Sequence, residues 1–566
     1  MTPTAPAPAP ATGRPSTAGL EAVLGDPHDP ANPLGLHAVL AADERAELLP
    51  EGERALDAWG LNAEFVPARL GGRLTDVERL MHVMRAVSRR DPTLALGYGF
   101  TNYISGSAMW TSGSPAQQRR MADILLAGGK TAAGYNELPH GNDFTRTDLT
   151  ATPRGGRLLL DGHKQVVNNI GRADAVVLLA RTGEGPGNRS HSHVFVDFAE
   201  GHADRVRRDE RFPTAGLRGC LIGGAEFTAF PVPADAHIGP VGGAMETVLR
   251  AFQTTRAVAP GMMAGAFDTI LRTVTRFTLE RRLYGRRVAD LPHARAALVA
   301  AYADLLAADA LTTVSCRALH VLPDQTSVLT AANKYLAPKL LHRATRDLGA
   351  ILSANSFLRD GGYAVFQKFA RDLPAITFAH ANASVCLATM LPQLPRMAAT
   401  SWGLAEPPPA GLFRLDAPLG DIDYQALELT ARGADRLTST LGHPGAAELL
   451  PPAAARLVAL FRTDLAELRE RCLALRPTDT SVTAGRAGYA LADRYAHLAA
   501  ASACLGIWFH NQHAADPFLT PPHWLTAALT RLATRLGHAA ALPPETEDVL
   551  FTALTGGDAP LSLSRT

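Results

Sequence analysis

One block of strand-type residues interrupts a chain that otherwise reads as helix, and that interruption limits the folds open to it. From about Thr131 to Gly239, short apolar runs are broken by Gly, Pro, Asn and Asp: RLLLDG, QVVNN, DAVVLLA, HVFVDF and EFTAFPVP. Runs of that length between such breakers read as the strands of one compact β unit. From about Leu36 to Leu126, ERAELLPEGERALDAWGL and DVERLMHVMRAVSRRD place apolar residues three and four apart, which is the helical period. Asp76 is the expected N-cap of the second run. The period returns after Gly243, with one long helix expected from about Ala244 to Leu283 and two or three more before Pro395. PPPAG at 407–411 marks a boundary. Beyond it, Leu457, Phe461, Leu465, Leu468 and Cys472 form an apolar helical stripe. No internal repeat is visible. The expected organisation is a leader over 1–35, a helical domain over 36–130, a β-domain over 131–243, helices over 244–400 and an extra helical block over 401–566.

The 566 residues are too many for one compact core. Hydrophobic content of 46% and charged content of 19% describe an ordinary globular chain. A net charge of +1 gives no long-range field, so nucleic acid and anionic membrane are not expected partners. The five cysteines, Cys220, Cys316, Cys386, Cys472 and Cys504, form no C-x-x-C pair, and a reducing cytoplasm is the expected compartment. The start, MTPTAPAPAPATGRPSTAG, lacks an apolar core and reads as a disordered leader rather than a signal peptide. No apolar run approaches the roughly 18 residues of a membrane span. The longest, Leu498 to Phe509, is expected to be a buried helix.

No G-x-G-x-x-G follows a strand, and neither a P-loop nor a G-x-S-x-G elbow appears. His191 and His193 share one face of a strand, expected to be solvated because no third metal ligand is evident. RRLYGRR at 281–287 reads in two ways. Its arginine and ring can clamp a pyrophosphate, or it is a basic helix C-terminus favoured by the macrodipole. GYNELPHGND at 134–143 and GHKQVVNN at 162–169 are polar turns beside strands. Their amides can meet a heteroaromatic ring, or they are ordinary turn chemistry.

Taken in order, these segments resemble the acyl-CoA dehydrogenase and acyl-CoA oxidase superfamily of flavoproteins, over about Leu36 to Met397. AGYNELPHGNDFTRTDLTA looks like the first flavin segment, and LLLDGHKQVVNNIGRADAVVLLART like the strand pair with a Gly-x-Lys turn. TTRAVAPGMMAGAFD with LERRLYGRRVADLPHARA is similar to the long helix and its Arg-x-x-Phe/Tyr-Gly signature. KFARDLPAITFAH matches the run ahead of the catalytic loop. The resemblance implies an α+β, mainly helical fold: a helical domain, a central β-barrel domain and a four-helix bundle, here with an extra C-terminal helical block. It implies FAD between the β-domain and the bundle, a homodimer or tetramer sharing it, and an electron-transfer flavoprotein or O2 as acceptor. It implies an acyl thioester of CoA or of an acyl carrier protein as substrate. Tyr135, Asn136, Asn142 and Asn168 fall on the flavin ring segments, and Arg281 and Tyr284 on the pyrophosphate clamp reaching across a dimer. Asn382 and Ser384 fall on the adenosine half, and Arg256 on a substrate arginine of the long helix.

Two departures stand out. The family's Gly-Gly doublet aligns with Ser353-Ala354, and its catalytic carboxylate aligns with His380; the alternative base position is Thr255. A free His, with pKa about 6.5, suits neutral pH better than a free Glu at about 4.3. The expected reaction is therefore α,β-desaturation of an acyl thioester with His380 as base. The other readings left open are a flavin monooxygenase or oxidase on a non-thioester substrate, and a non-catalytic flavin-binding partner subunit.

Overall fold

The computed structural model describes residues 15–564, apart from 142, 186, 380, 405, 482 and 558. The strand-rich block folds as one largely antiparallel eight-stranded sheet. Its strands are β1 (Thr131–Gly134), β2 (Thr150–Arg154), β3 (Arg157–Asn168), β4 (Ala175–Arg181), β5 (His191–Asp197), β6 (Val206–Arg208), β7 (Ile222–Pro233) and β8 (His237–Ile238). The hydrogen-bonded order is β6-β7-β3-β2-β4-β5-β8, with β1 pairing parallel to β4. The runs RLLLDG and QVVNN are one strand rather than two. Gly162, at φ +132°, and two register shifts against β7 let β3 bend without ending. β4 is buried on both faces: Val176, Leu178 and Ala180 enter the β-domain's own core, while Ala175, Val177 and Leu179 join the helical core. The strand is apolar throughout because helices cover the side that would otherwise meet water.

The long helix runs Ala244–Glu280, a little shorter than its pattern predicts. Arg281 turns extended, and Arg282–Leu283 pairs with Arg286–Arg287 as a small hairpin. Tyr284 and Gly285 occupy the turn at φ +52° and +78°, the sign both residues of a two-residue hairpin turn of this kind need. Helices Pro292–Val321 and Thr326–Leu352 pack against the long helix, and Val365–Phe378 closes the bundle.

Pro292–Val321 is apolar enough to cross a membrane, with a mean hydropathy of 1.5 over its best window, but 89% of that window is buried in the protein. The long helix and Thr326–Leu352 cover part of it, and the C-terminal block covers a further part. Helices Arg486–His510 and His523–Arg535 lie against it, and Arg531 and Arg535 reach its fully buried Asp304 at 2.7 and 2.8 Å. Arg317, on the same helix, pairs with Glu78 and donates to the carbonyls of Gly411 and Ala417 at 2.9 and 2.8 Å. Further along, Gln253 of the long helix donates to the Glu428 carbonyl at 2.8 Å, and Ile422 N to the Thr75 carbonyl at 2.8 Å.

Candidate active site

The site begins at an irregular turn. Between Pro92–Leu94 and Thr101–Ser112 the helix widens into a π-helical stretch, Ala95–Phe100. Such a stretch breaks the usual i→i−4 ladder. Asn168, at the end of β3, supplies donors there: its Nδ2 lies 3.4 and 3.2 Å from the Leu96 and Gly97 carbonyls and 2.7 Å from Thr101 Oγ1. Its buried Oδ1 accepts no hydrogen bond.

Leu96 and Phe100 on this turn face Thr255, Ala259 and Met262 of the long helix. Lys334, Ile376 and Ala379 complete a small apolar pocket. Ala379 directly precedes position 380, so the aligned base position adjoins this pocket in sequence. Lys334 is buried, and its Nζ donates to the carbonyls of Ile376 and Thr377, the last turn of Val365–Phe378. His342, two helical turns further on, meets Thr377 Oγ1 at 2.6 Å. Burial pushes the Lys334 ammonium down to about 8, with the nearby Cys386 opposing that shift and the Arg256 guanidinium adding to it. Arg256 is itself 2% exposed. Its Nε has no hydrogen-bond partner, and burial lowers its pKa.

The remaining expected residues are spread over three places. Tyr135 is buried in a group of rings, with His193, Phe252 and Phe144 at centroid distances of 5.4, 5.6 and 6.1 Å. Asn136 is half-buried, and its carbonyl accepts from Gln165 N at 3.2 Å. Asn382 caps Ala383–Met390, its Oδ1 accepting from Val385 N at 3.0 Å, while Ser384 beside it is exposed. Arg281 and Tyr284 project from the hairpin, Tyr284 at 94% exposure, away from every other expected residue's contacts. Asn142 and His380 lie outside the described residues.

His191 and His193 are not on a solvated face. β5 sits between β4 and β8 with the long helix over it, and both rings are fully buried. Neither ring nitrogen of His193 has a hydrogen-bond partner, and burial pushes its pKa down to about 3, keeping it neutral. Lys334 was not singled out in the sequence. The signal was available: of the two lysines in the apolar stretch VLTAANKYLAPKLL, Lys334 lies on the side of the helix that also carries Ala331 and Leu341.

The donor set suits a flavin. Asn168 offers a free buried acceptor, Asn136 and Ser384 offer accessible polar groups, and Ser353 holds φ +53°, ψ −130°. That backbone is one glycine adopts most readily, so a glycine would fit at position 353 without strain.

A long bundle helix with a sheet docked on its flank, and a small apolar pocket between that helix, the π-helical turn and two neighbouring helices, make up an acyl-CoA dehydrogenase-type fold. Residues 243–385 match the family model described as acyl-CoA dehydrogenase, C-terminal domain. It is 26% identical over 332 residues to cyclohex-1-ene-1-carbonyl-CoA dehydrogenase of Geobacter metallireducens, covering 57% of this chain and 84% of that protein. It is 23% identical over 249 residues to the caffeyl-CoA reductase-Etf complex subunit CarC of Acetobacterium woodii. That match covers 44% of this chain and spans 65% of the subunit's length. The solved glutaryl-coenzyme A dehydrogenase–glutaryl-CoA complex superposes with a TM-score of 0.60 at 20% identity, over 67% of this chain and 94% of that one. Members of this family are FAD-dependent oxidoreductases acting on CH–CH bonds.

Proposed function

We propose that this chain is an FAD-dependent oxidoreductase that desaturates an acyl thioester between Cα and Cβ. The observation that carries the reading is the pocket itself. Thr255 of the long helix, at the alternative base position, and Ala379, the residue before the aligned base position in sequence, line the same small apolar space.

Tyr135, Asn136, Asn142 and Asn168 would hold the ring side of FAD, and Asn382 and Ser384 the adenosine half. Arg281 and Tyr284, exposed within one chain, would reach the pyrophosphate from a second copy, which makes a homo-oligomer part of the proposal. Bound there, FAD would accept the two electrons the substrate loses. The protein's part is to seat the acyl chain among Leu96, Phe100 and Met262, exclude water, and take the α-proton. With Thr255 unable to act as a base at neutral pH, that role falls to the His380 imidazole. Electrons would pass on to an electron-transfer flavoprotein or to O2; the Etf complex in the name of the CarC relative favours the first.

Anaerobic addition of an acyl-CoA panel to the purified flavoprotein should bleach its visible spectrum. A spectrum that stays oxidised with every thioester would overturn the reading. His380→Ala should keep FAD and slow flavin reduction by about 10²- to 10⁴-fold. Reduction at the parent rate would remove His380 from the mechanism.

A further inference from the structure

The turn 379–382 joins Val365–Phe378 to Ala383–Met390 and carries the aligned base position. It is not a relaxed connection. Ala381 is 4% exposed and holds φ +95°, a backbone that a residue with a Cβ rarely adopts. Such strain persists only where the surroundings over-determine it. The trailing side is fixed locally: Asn382 caps Ala383–Met390 through Val385 N at 3.0 Å, and the Cys386 thiol lies 3.9 Å from the Ala381 carbonyl. The leading side is fixed from another helix. A helix leaves its last carbonyls without partners of its own. Here those of Ile376 and Thr377 accept from Lys334 Nζ, the second at 3.5 Å, and the Thr377 hydroxyl meets His342 Nε2 at 2.6 Å. Both side chains stand on Thr326–Leu352, the helix that Ala383–Met390 also packs against, so one helix holds both banks of the turn. Of the three buried lysines, Lys164 and Lys368 are held by carboxylates at 2.7 and 2.8 Å. Lys334 is set against backbone instead.

We propose that Lys334 and His342 are positioning residues for the desaturation. They fix where Val365–Phe378 ends, and with it the direction in which the chain enters the turn that carries the base. This rests on the acyl-thioester reading above. Lys334 grips the backbone of the last helical turn and His342 its one hydroxyl, so that turn is held against both sliding and rotation. Lys334 also lines the apolar pocket, so one side chain sets the helix end and part of the wall beside it. A base displaced by about 1 Å from its productive geometry loses on the order of 10²-fold in rate, and the two residues act through that geometry rather than through proton transfer.

The test uses the purified full-length flavoprotein. Hydrogen exchange comes first because it needs no turnover. In Lys334→Met the peptide 377–382 should exchange about tenfold faster than in the parent, while 366–373 keeps the parent rate. Anaerobic flavin reduction by a saturating concentration of the acyl-CoA that bleaches the parent fastest should then slow about tenfold or more, with FAD content and thioester Kd within about twofold of the parent. His342→Ala should slow reduction about threefold or more, and it serves if Lys334→Met does not fold. His342→Gln, which keeps a donor for the Thr377 hydroxyl, should return to within about twofold of the parent. Unchanged exchange over 377–382 in both Lys334→Met and His342→Ala, or parent reduction rates in both, overturns the proposal. A loss in His342→Ala that His342→Gln does not restore makes His342 a packing group and overturns its part. A parent that no acyl-CoA bleaches removes the dehydrogenase reading instead: faster exchange over 377–382 would still establish the brace, and its role in the reaction would fall with that reading.

Discussion

The helix Val365–Phe378 is gripped near each end by a buried lysine, and the two grips are opposite in character. Lys368, in its first turn, is 1% exposed and sits between Asp91 and Asp372, with Thr93 Oγ1 at 3.1 Å. Burial alone would lower its pKa, but the two carboxylates overcome that and hold the ammonium above its ordinary value. Lys334, at the other end, donates among the described residues to carbonyl oxygens, and burial wins. Asp372 also accepts from Leu217 N, so the Lys368 end ties the helical domain, the β-domain and the bundle together. The Lys334 end faces the pocket. The same residue type at the same depth is held by carboxylates at one end of the helix and by backbone carbonyls at the other.

The largest effect should come from breaking the joint. Lys368→Met would leave Asp91 and Asp372 buried without their cation, a loss of about 3–5 kcal/mol, read as a lowered urea midpoint and poor soluble yield. Lys334→Met leaves no buried charge behind, and at pH 7 it should change stability by about 1 kcal/mol or less, since the lost carbonyl bonds offset the removed ion.

pH sharpens the contrast. Lys334 has a folded pKa of about 8, below its unfolded value near 10.5, so the fold carries its desolvation penalty in full below pH 8. Between pH 8 and 10.5 the unfolded chain binds the extra proton, and parent stability rises relative to Lys334→Met by up to roughly 3 kcal/mol. Lys368 has a raised folded pKa, so its contribution is complete below about pH 10.5 and the gap to Lys368→Met should stay flat from pH 7 to 10. Parallel pH curves for the two variants would refute the distinction.

The smallest effect lies where no charge is involved. Ser353 strains its backbone at φ +53°, ψ −130°. Ser353→Gly should raise stability by about 1 kcal/mol, seen as a higher thermal midpoint, and should not weaken FAD retention.

Much of the fold was legible because it is written in local periodicity. Asp76 caps its helix as its pattern suggests, accepting from Arg79 N at 2.8 Å. The start of the long helix and the strand-rich block follow the change of period near Gly243. What could not be read depends on pairing across distance. β1, β2 and β6 are too short to signal themselves. His191 and His193 look amphipathic until β8 and the long helix cover them. The pocket residues share the same limit. Leu96, Met262 and Ile376 are unremarkable apolar residues in their own segments, and only the π-helical turn and the bundle bring them together. Lys334 was visible as a lysine, but the carbonyls and the guanidinium around it come from other helices.

The proline-rich stretch at 407–411 looks in sequence like the place to divide this chain. Arg317 makes it the opposite. Its guanidinium is fixed by the Gly411 and Ala417 carbonyls on one side and Glu78 on the other, so a cut there would strip a buried cation of half its ligands. The C-terminal block is therefore not a detachable appendage acquired by a finished enzyme. A fragment ending at the prolines would be an unfinished protein, and engineering that trims this chain toward the size of its shorter relatives would first have to replace Arg317 with something apolar.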